Sequence, residues 1–117
     1  MNVQERIDLL NDALAKVQSA IAKTNTALGT AVALGDNQSL ASQLTDLHAE
    51  QESLRTRIAN LQMAAPTIGF IAPEAAVRLS ALGGELDRII VRDATVSAVL
   101  DFGSAVLAKV SALRQAA

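Results

Sequence analysis

From Val3 the seam positions of the chain step by four, three, four and three residues through Val3, Ile7, Leu10, Leu14, Val17, Ile21, Thr24, Leu28 and Ala31. That spacing keeps one edge of a helix facing one partner and is the heptad signature. Ile7, Leu14, Ile21 and Leu28 take position a, and Val3, Leu10, Val17, Thr24 and Ala31 take position d. A second run repeats the rule through Leu40, Leu44, Leu47, Gln51, Leu54, Ile58, Leu61 and Ala65. Between the runs lies Leu34-Gly35-Asp36-Asn37-Gln38. Gly35 suits a left-handed residue after a helix end, and Asp36 or Asn37 suits the cap of the next helix. Two helices joined by so short a turn lie antiparallel. Residues 1–64 are therefore expected to form a long antiparallel coiled-coil helical hairpin, with helices on the order of 45 Å long.

Folding this hairpin about Asp36 brings Thr24 near His48 and Ile21 near Gln51. Thr24, His48 and Gln51 then make one polar layer in an otherwise aliphatic seam, the kind of layer that fixes register in coiled coils. A ligand or ion site is the sharper alternative, but the layer brings no charged group. Ala13, Ala20 and Ala27 recur every seven residues beside the seam. Their small side chains let a further helix approach closely, and a two-helix hairpin needs such a cover because it has no interior of its own.

Residues 65–72 interrupt the helical pattern. Pro66 ends the second helix, since the residue before proline is pushed out of the α region. Pro73 fits the first turn of the next helix, where a missing N–H costs nothing. Ile68, Phe70 and Ile71 make this an apolar linker, expected to plug the end of the bundle or, failing that, to dock a partner. Residues 73–117 form the C-terminal helical region, expected to pack on the hairpin, on a second subunit, or on both. Val77, Leu79, Leu82, Leu86, Ile89 and Ile90 carry its first apolar face. Gly83-Gly84 weakens that helix by about 1 kcal/mol per glycine and marks a bend or a close contact. Asp93 or Thr95 can cap a restart, so the region is one bent helix or two shorter ones. A β-hairpin through residues 89–91 and 96–100 is a weaker alternative. The whole is read as an all-α, single-domain bundle of three or four helices.

The last helix departs most from an ordinary surface helix. Its polar residues form a thin stripe, Ser97, Asp101, Ser104, Ser111 and Gln115, with Ala108 on the same line. Val96, Val99, Leu100, Phe102, Val106, Leu107, Val110 and Leu113 occupy the rest. A surface helix buries about a third of its circumference, so this one must run through the centre of the bundle or be covered by a second molecule. The second option makes Val96, Val99, Phe102, Val106, Val110 and Leu113, with Phe70 of the linker, the expected interaction residues, and the protein a homo-oligomer.

Composition sharpens the picture. Half of the residues are hydrophobic, yet they include twenty-three alanines and only two aromatics, and the charged fraction is 19% with a net charge of −2. High hydrophobicity with low charge argues against a disordered chain. The absence of cysteine excludes a disulfide scaffold and a thiolate zinc site, and the slight acidity with almost no stacking aromatics argues against nucleic acid as a partner. The N-terminus lacks the charged-then-apolar pattern of a secretory signal. The longest uncharged stretch, from Ile58 to Pro73, is too short and too broken by Pro66 and Gly69 to span a bilayer. A cytoplasmic protein without a transmembrane segment is the expectation.

Chemistry is scarce. His48 is the sole histidine, with Glu52 one turn away, and the Glu-x-x-His pairs of di-iron bundles are missing. No Gly-x-Ser-x-Gly elbow is present. Asp101-Phe102-Gly103 spells a kinase triplet without the remaining kinase parts, so Asp101 is assigned to the polar stripe and Gly103 to a close helix contact. Glu52 and Arg55 form an ordinary surface pair, and Arg88 and Arg92 sit among Glu85, Asp87 and Asp93. No catalytic, cofactor or metal site is expected. The chain is read as a non-enzymatic helical interaction or assembly protein, such as a structural adaptor, assembly factor or protein inhibitor of the phage or mobile-element type. A membrane-surface or lipid-binding helical protein is the alternative.

Overall fold

Asn2 starts the first helix, its side-chain oxygen accepting the Glu5 N–H, and α1 then runs over Val3–Thr30. It is followed by α2 (Leu34–Ala64), α3 (Pro73–Asp87) and α4 (Val96–Ala116). The computed structural model describes residues 1–64 and 71–117, and among these there is no strand, which removes the β-hairpin alternative. The molecule is a rod of 51 × 24 × 15 Å. Its long dimension is close to the length of the 31-residue α2.

The turn lies earlier than the sequence pattern suggests. Ala31 leaves the helix in an extended conformation, and Val32, whose branched side chain favours extended backbone, follows it. The Ala33 carbonyl already accepts from the Asn37 N–H, so α2 begins at Leu34 and Gly35 lies inside its first turn. No described glycine has a positive φ. Asp36 sits in the first turn of α2 rather than at its cap, a position where a carboxylate equally suits the positive end of the helix dipole. That equivalence is why the capping signal points a few residues too far along.

The shorter turn resets the pairing of α1 with α2. Thr24 meets Gln43, whose amide donates to the Thr24 hydroxyl at 3.2 Å. At the opposite end Arg6 and Arg57 reach the same oxygen of Ala117. The two long helices thus run side by side in opposite directions. His48 is exposed and Gln51 half-buried, so the expected layer of Thr24, His48 and Gln51 does not form.

The core faces follow from a third helix. α4 packs against α1, α2 and α3, whereas α3 packs only against α1 and α4. On α1 the alanine ridge is turned inward, with Ala13, Ala20 and Ala27 buried, while the a-position residues Leu14, Ile21 and Leu28 are half-buried at the edge. On α2 the buried face is Leu40, Gln43, Leu47, Glu50, Leu54, Ile58 and Leu61. Both faces are rotated toward α4 relative to a seam made by two helices alone.

α4 itself contributes Val99, Phe102, Val106, Val110 and Leu113 to the core, and its stripe of Ser97, Asp101, Ser104, Ala108 and Gln115 faces water. These five apolar residues are therefore enclosed by their own chain. Val96 is half-buried against the Ala27, Leu40 and Val99 cluster. The central position is available because α3, though only 15 residues long, adds a third wall. By length and composition α4 is also apolar enough to cross a membrane, the one such helix among the described residues, despite Asp101, Lys109 and Arg114. Phe70 and Ile68 lie outside the described residues; Ile71 is half-buried and packs on the core.

The C-terminal region is two helices. α3 passes through both glycines without interruption, and a Cβ on Gly83 would come within 2.8 Å of a Leu9 methyl, while one on Gly84 would meet nothing. Gly83 is the close contact. Thr95 caps α4, its hydroxyl accepting the Ala98 N–H at 3.2 Å. The Asp93 carboxylate in turn accepts from the Thr95 N–H and hydroxyl, which holds its pKa below the ordinary carboxylate value.

Two predictions follow from these elements. Gly84→Ala gains helix propensity without a clash and should stabilise the protein by about 0.5–1 kcal/mol in urea unfolding, with Gly83→Ala giving clearly less because Leu9 must move. For Asp93, the depressed folded pKa means its contribution is present at neutral pH and fades as pH falls through the carboxylate range. Asp93→Ala should therefore melt below the parent at pH 7, and the gap should close toward pH 2–3; a gap independent of pH would disprove the cap.

Candidate functional site

The polar residues that the fold buries lie on three different helices. Thr24 on α1 is fully buried, and its hydroxyl donates back to the Ala20 carbonyl at 2.7 Å while accepting from the Gln43 amide. The same Gln43 nitrogen donates to the Val99 carbonyl of α4 at 3.2 Å. One amide thus joins three helices at a single level. Room for it comes from Gly103, where any Cβ would collide with the Gln43 carboxamide. Gly103 therefore provides the close approach its place in the sequence suggested, and the kinase-like triplet around it has no further meaning: Asp101 is exposed and lies 3.6 Å from Arg92.

Sequence periodicity missed Gln43 and Glu50 because the alternative slots Leu44 and Gln51 fit a two-helix seam equally well. The signal that could have found them is the spacing Leu40, Gln43, Leu47, Glu50, Leu54, which also steps by three and four. A mid-helix glycine opposite a buried polar side chain is the companion clue.

Glu50 is 8% exposed and takes a two-pronged contact from Arg114 of α4, with Nε at 2.8 Å and Nη2 at 3.3 Å from its two oxygens. Such forked pairs are directional as well as attractive. Lys109 of α4 reaches Glu85 of α3 at 2.7 Å, and this bond and charge keep Glu85 below the usual carboxylate range. Glu85 thus pairs with Lys109, and Arg92 with Asp101. Arg55 and Glu52 form the anticipated surface pair at 2.9 Å.

Among the described residues no three His, Asp or Glu side chains are grouped to hold a metal ion. His48 stands exposed, and the buried hydroxyl of Thr24 has an amide as its neighbour rather than a base.

The exposed large hydrophobic side chains are spread over the molecule: Met63 near the end of α2, Val77 on α3, Ile90 after α3, and Val32 and Leu34 at the α1–α2 turn. Val32 is 97% exposed and Leu34 72% exposed at the α1–α2 turn. A groove of about 500 Å³ runs up α1 between Ala22, Thr26 and Thr30 on one side and Val91 and Ala94 on the other. It ends within two residues of Val32. The groove exists because α3 stops at Asp87 and the chain rises to Val96 without a helix, leaving the upper half of α1 without a helical neighbour on that flank. Comparison of the chain with known protein families, characterised proteins and solved structures gives no match.

The three-helix junction can be tested by a double-mutant cycle. Gly103→Ala in the parent should expel Gln43 and cost about 1–2 kcal/mol, because the loss of two buried hydrogen bonds outweighs the helix-propensity gain. In a Gln43→Ala background the same change should be neutral or stabilising. Urea unfolding that gives Gly103→Ala one sign in both backgrounds would contradict the placement.

Proposed function

We propose that this chain is a non-enzymatic helical interaction protein that assembles through the turn end of its bundle. The observation that carries the reading is the exposure of Val32 and Leu34 beside the open apolar flank of α1. Apolar side chains gathered at one place on a surface mark contact sites more often than scattered ones do. The interaction surface proposed here differs from the apolar face of α4, because Val99, Phe102, Val106, Val110 and Leu113 already serve the chain's own core. Self-association remains part of the proposal, now through the turn and groove, with a coiled-coil pairing of α1 and α2 as the rigid arm that presents them. A cytoplasmic location and a role as adaptor, assembly factor or inhibitor, in the manner of phage or mobile-element proteins, belong to the same proposal. So does an activity based on binding alone, without cofactor or metal and without nucleic acid.

One observation favours a second reading, in which the protein works on a membrane: α4 has the length and apolar composition to enter a bilayer. Against it, α4 would have to abandon contacts with three helices, and its exposed stripe carries few basic or aromatic anchors.

Light scattering across a concentration series, paired with vesicle flotation, separates these readings. The first reading expects a mass above the 12.2 kDa of one chain that rises with concentration, and a return toward one chain in a Val32→Glu, Leu34→Glu variant. A mass fixed at one chain at every concentration would remove self-association. Co-flotation of the folded protein with vesicles would instead support the membrane reading.

A further inference from the structure

The charges of α1 are sorted along its length. Glu5, Asp8 and Asp12 lie in its first half and Lys16 and Lys23 in its second, and their spacing sets all five along one line of the helix. Lys16 is half-buried and the other four are exposed. Among the described residues none of the five forms an ion pair, whereas all three charged residues of α4 do. Gln4, Asn11, Gln18 and Asn25 make a second exposed line, recurring every seven residues beside the first. Gln4 donates to Asp8 at 2.9 Å, and Asn11, Gln18 and Asn25 have no side-chain hydrogen bond among the described residues. Ala15 and Ala22 stand exposed between the two lines, so no bulky side chain separates them.

Both lines are balanced about one point, between Leu14 and Ala15. A two-fold axis there, with a second α1 running antiparallel, sets each line beside its own reverse. Asp12 then falls beside Lys16 of the second copy and Glu5 beside its Lys23, and symmetry repeats each pair. In the amide line Gln4 falls beside Asn25 and Asn11 beside Gln18. Side-chain amides suit one another because each carries donors and an acceptor. Leu14 and Ile21, half-buried on the α2 side, add apolar area at the edge of the contact. A surface that meets itself in reverse needs its charges sorted by sign in this way. An unrelated partner would not require the charges and the amides to balance about the same point.

We propose that the exposed side of α1 is the pairing surface of an antiparallel dimer, and that its occupant is a second copy of this chain. Opposite charges from the two copies supply orientation and register, and the amide line fills the contact between them. α1 begins at Val3, so Val32 and Leu34 lie beyond the paired stretch. The pairing therefore stands apart from the turn and groove proposed above and leaves both turns free.

The test is a charge swap read by sedimentation velocity at low ionic strength. It is made in the full chain carrying Val32→Glu and Leu34→Glu, so that association through the turn does not contribute. This chain should form pairs that weaken as salt is raised. Adding Lys16→Glu and Lys23→Glu makes the charged line wholly acidic, and adding Glu5→Lys, Asp8→Lys and Asp12→Lys makes it wholly basic. Either variant alone should pair at least about tenfold more weakly, and an equimolar mixture of the two should recover the pairing. A starting chain that stays single at every concentration, or a mixture that pairs no better than its components, would overturn the dimer. A second readout leaves every charge in place, since the chain has no cysteine of its own. Ala15→Cys, beside the two-fold axis, should close a disulfide between two chains in a glutathione buffer. Thr45→Cys, exposed on α2, should stay reduced. Equal cross-linking at the two positions would likewise contradict the pairing.

Discussion

Everything in this molecule depends on enclosing α4. A 21-residue helix with apolar side chains around more than half of its circumference cannot stand at the surface of a bundle without exposing them to water. Its position between α1, α2 and α3 answers that constraint within one chain. The remaining features follow. α1 presents alanines so that α4 can come close, α2 turns Gln43 and Glu50 inward to meet α4 groups, and the 15-residue α3 covers the side the hairpin leaves open.

Few of the interactions that fix this arrangement are polar, and each links α4 to something else. Gln43 ties it to Thr24, Glu50 holds Arg114, Glu85 holds Lys109, and two arginines meet its end at Ala117. Aliphatic packing tolerates small rotations and slips of one helix on another. A buried amide with a fixed set of partners, seated over a glycine, does not, and this is a recognised use of single polar residues in helical cores. The Thr24–Gln43–Gly103 level is thus where register is set.

The helical character of the chain and the orientation of α4 were legible in the sequence because they rest on periodicities over many residues, whereas the same pattern fitted one bent C-terminal helix as well as two shorter ones. The thin stripe from Ser97 to Gln115 named the wet side of α4, and Ala13, Ala20 and Ala27 marked the ridge that receives a third helix. The register was not legible. It hangs on whether Asp36 caps α2 or sits in its first turn, and both positions favour the same carboxylate. The error then passes directly to Thr24, whose partner is Gln43 instead of His48. The enclosure of α4 by its own chain was likewise undecidable from composition, since an over-apolar helix asks for cover without saying which molecule supplies it.

The burial of α4 leaves Val32 and Leu34 exposed at the turn, and Met63, Val77 and Ile90 exposed elsewhere. The central placement of α4 can be measured directly, because the chain has no cysteine and single thiols can be introduced cleanly. Ser104→Cys and Val106→Cys would each be exposed to a maleimide under native conditions, at a chain concentration low enough to dissociate an oligomer. The account predicts that the thiol at 104 reacts at the rate of a free thiol while the one at 106 is protected by orders of magnitude, limited by the opening of the fold. Equal rates at the two positions, or loss of protection at 106 on dilution, would contradict a helix enclosed by its own chain.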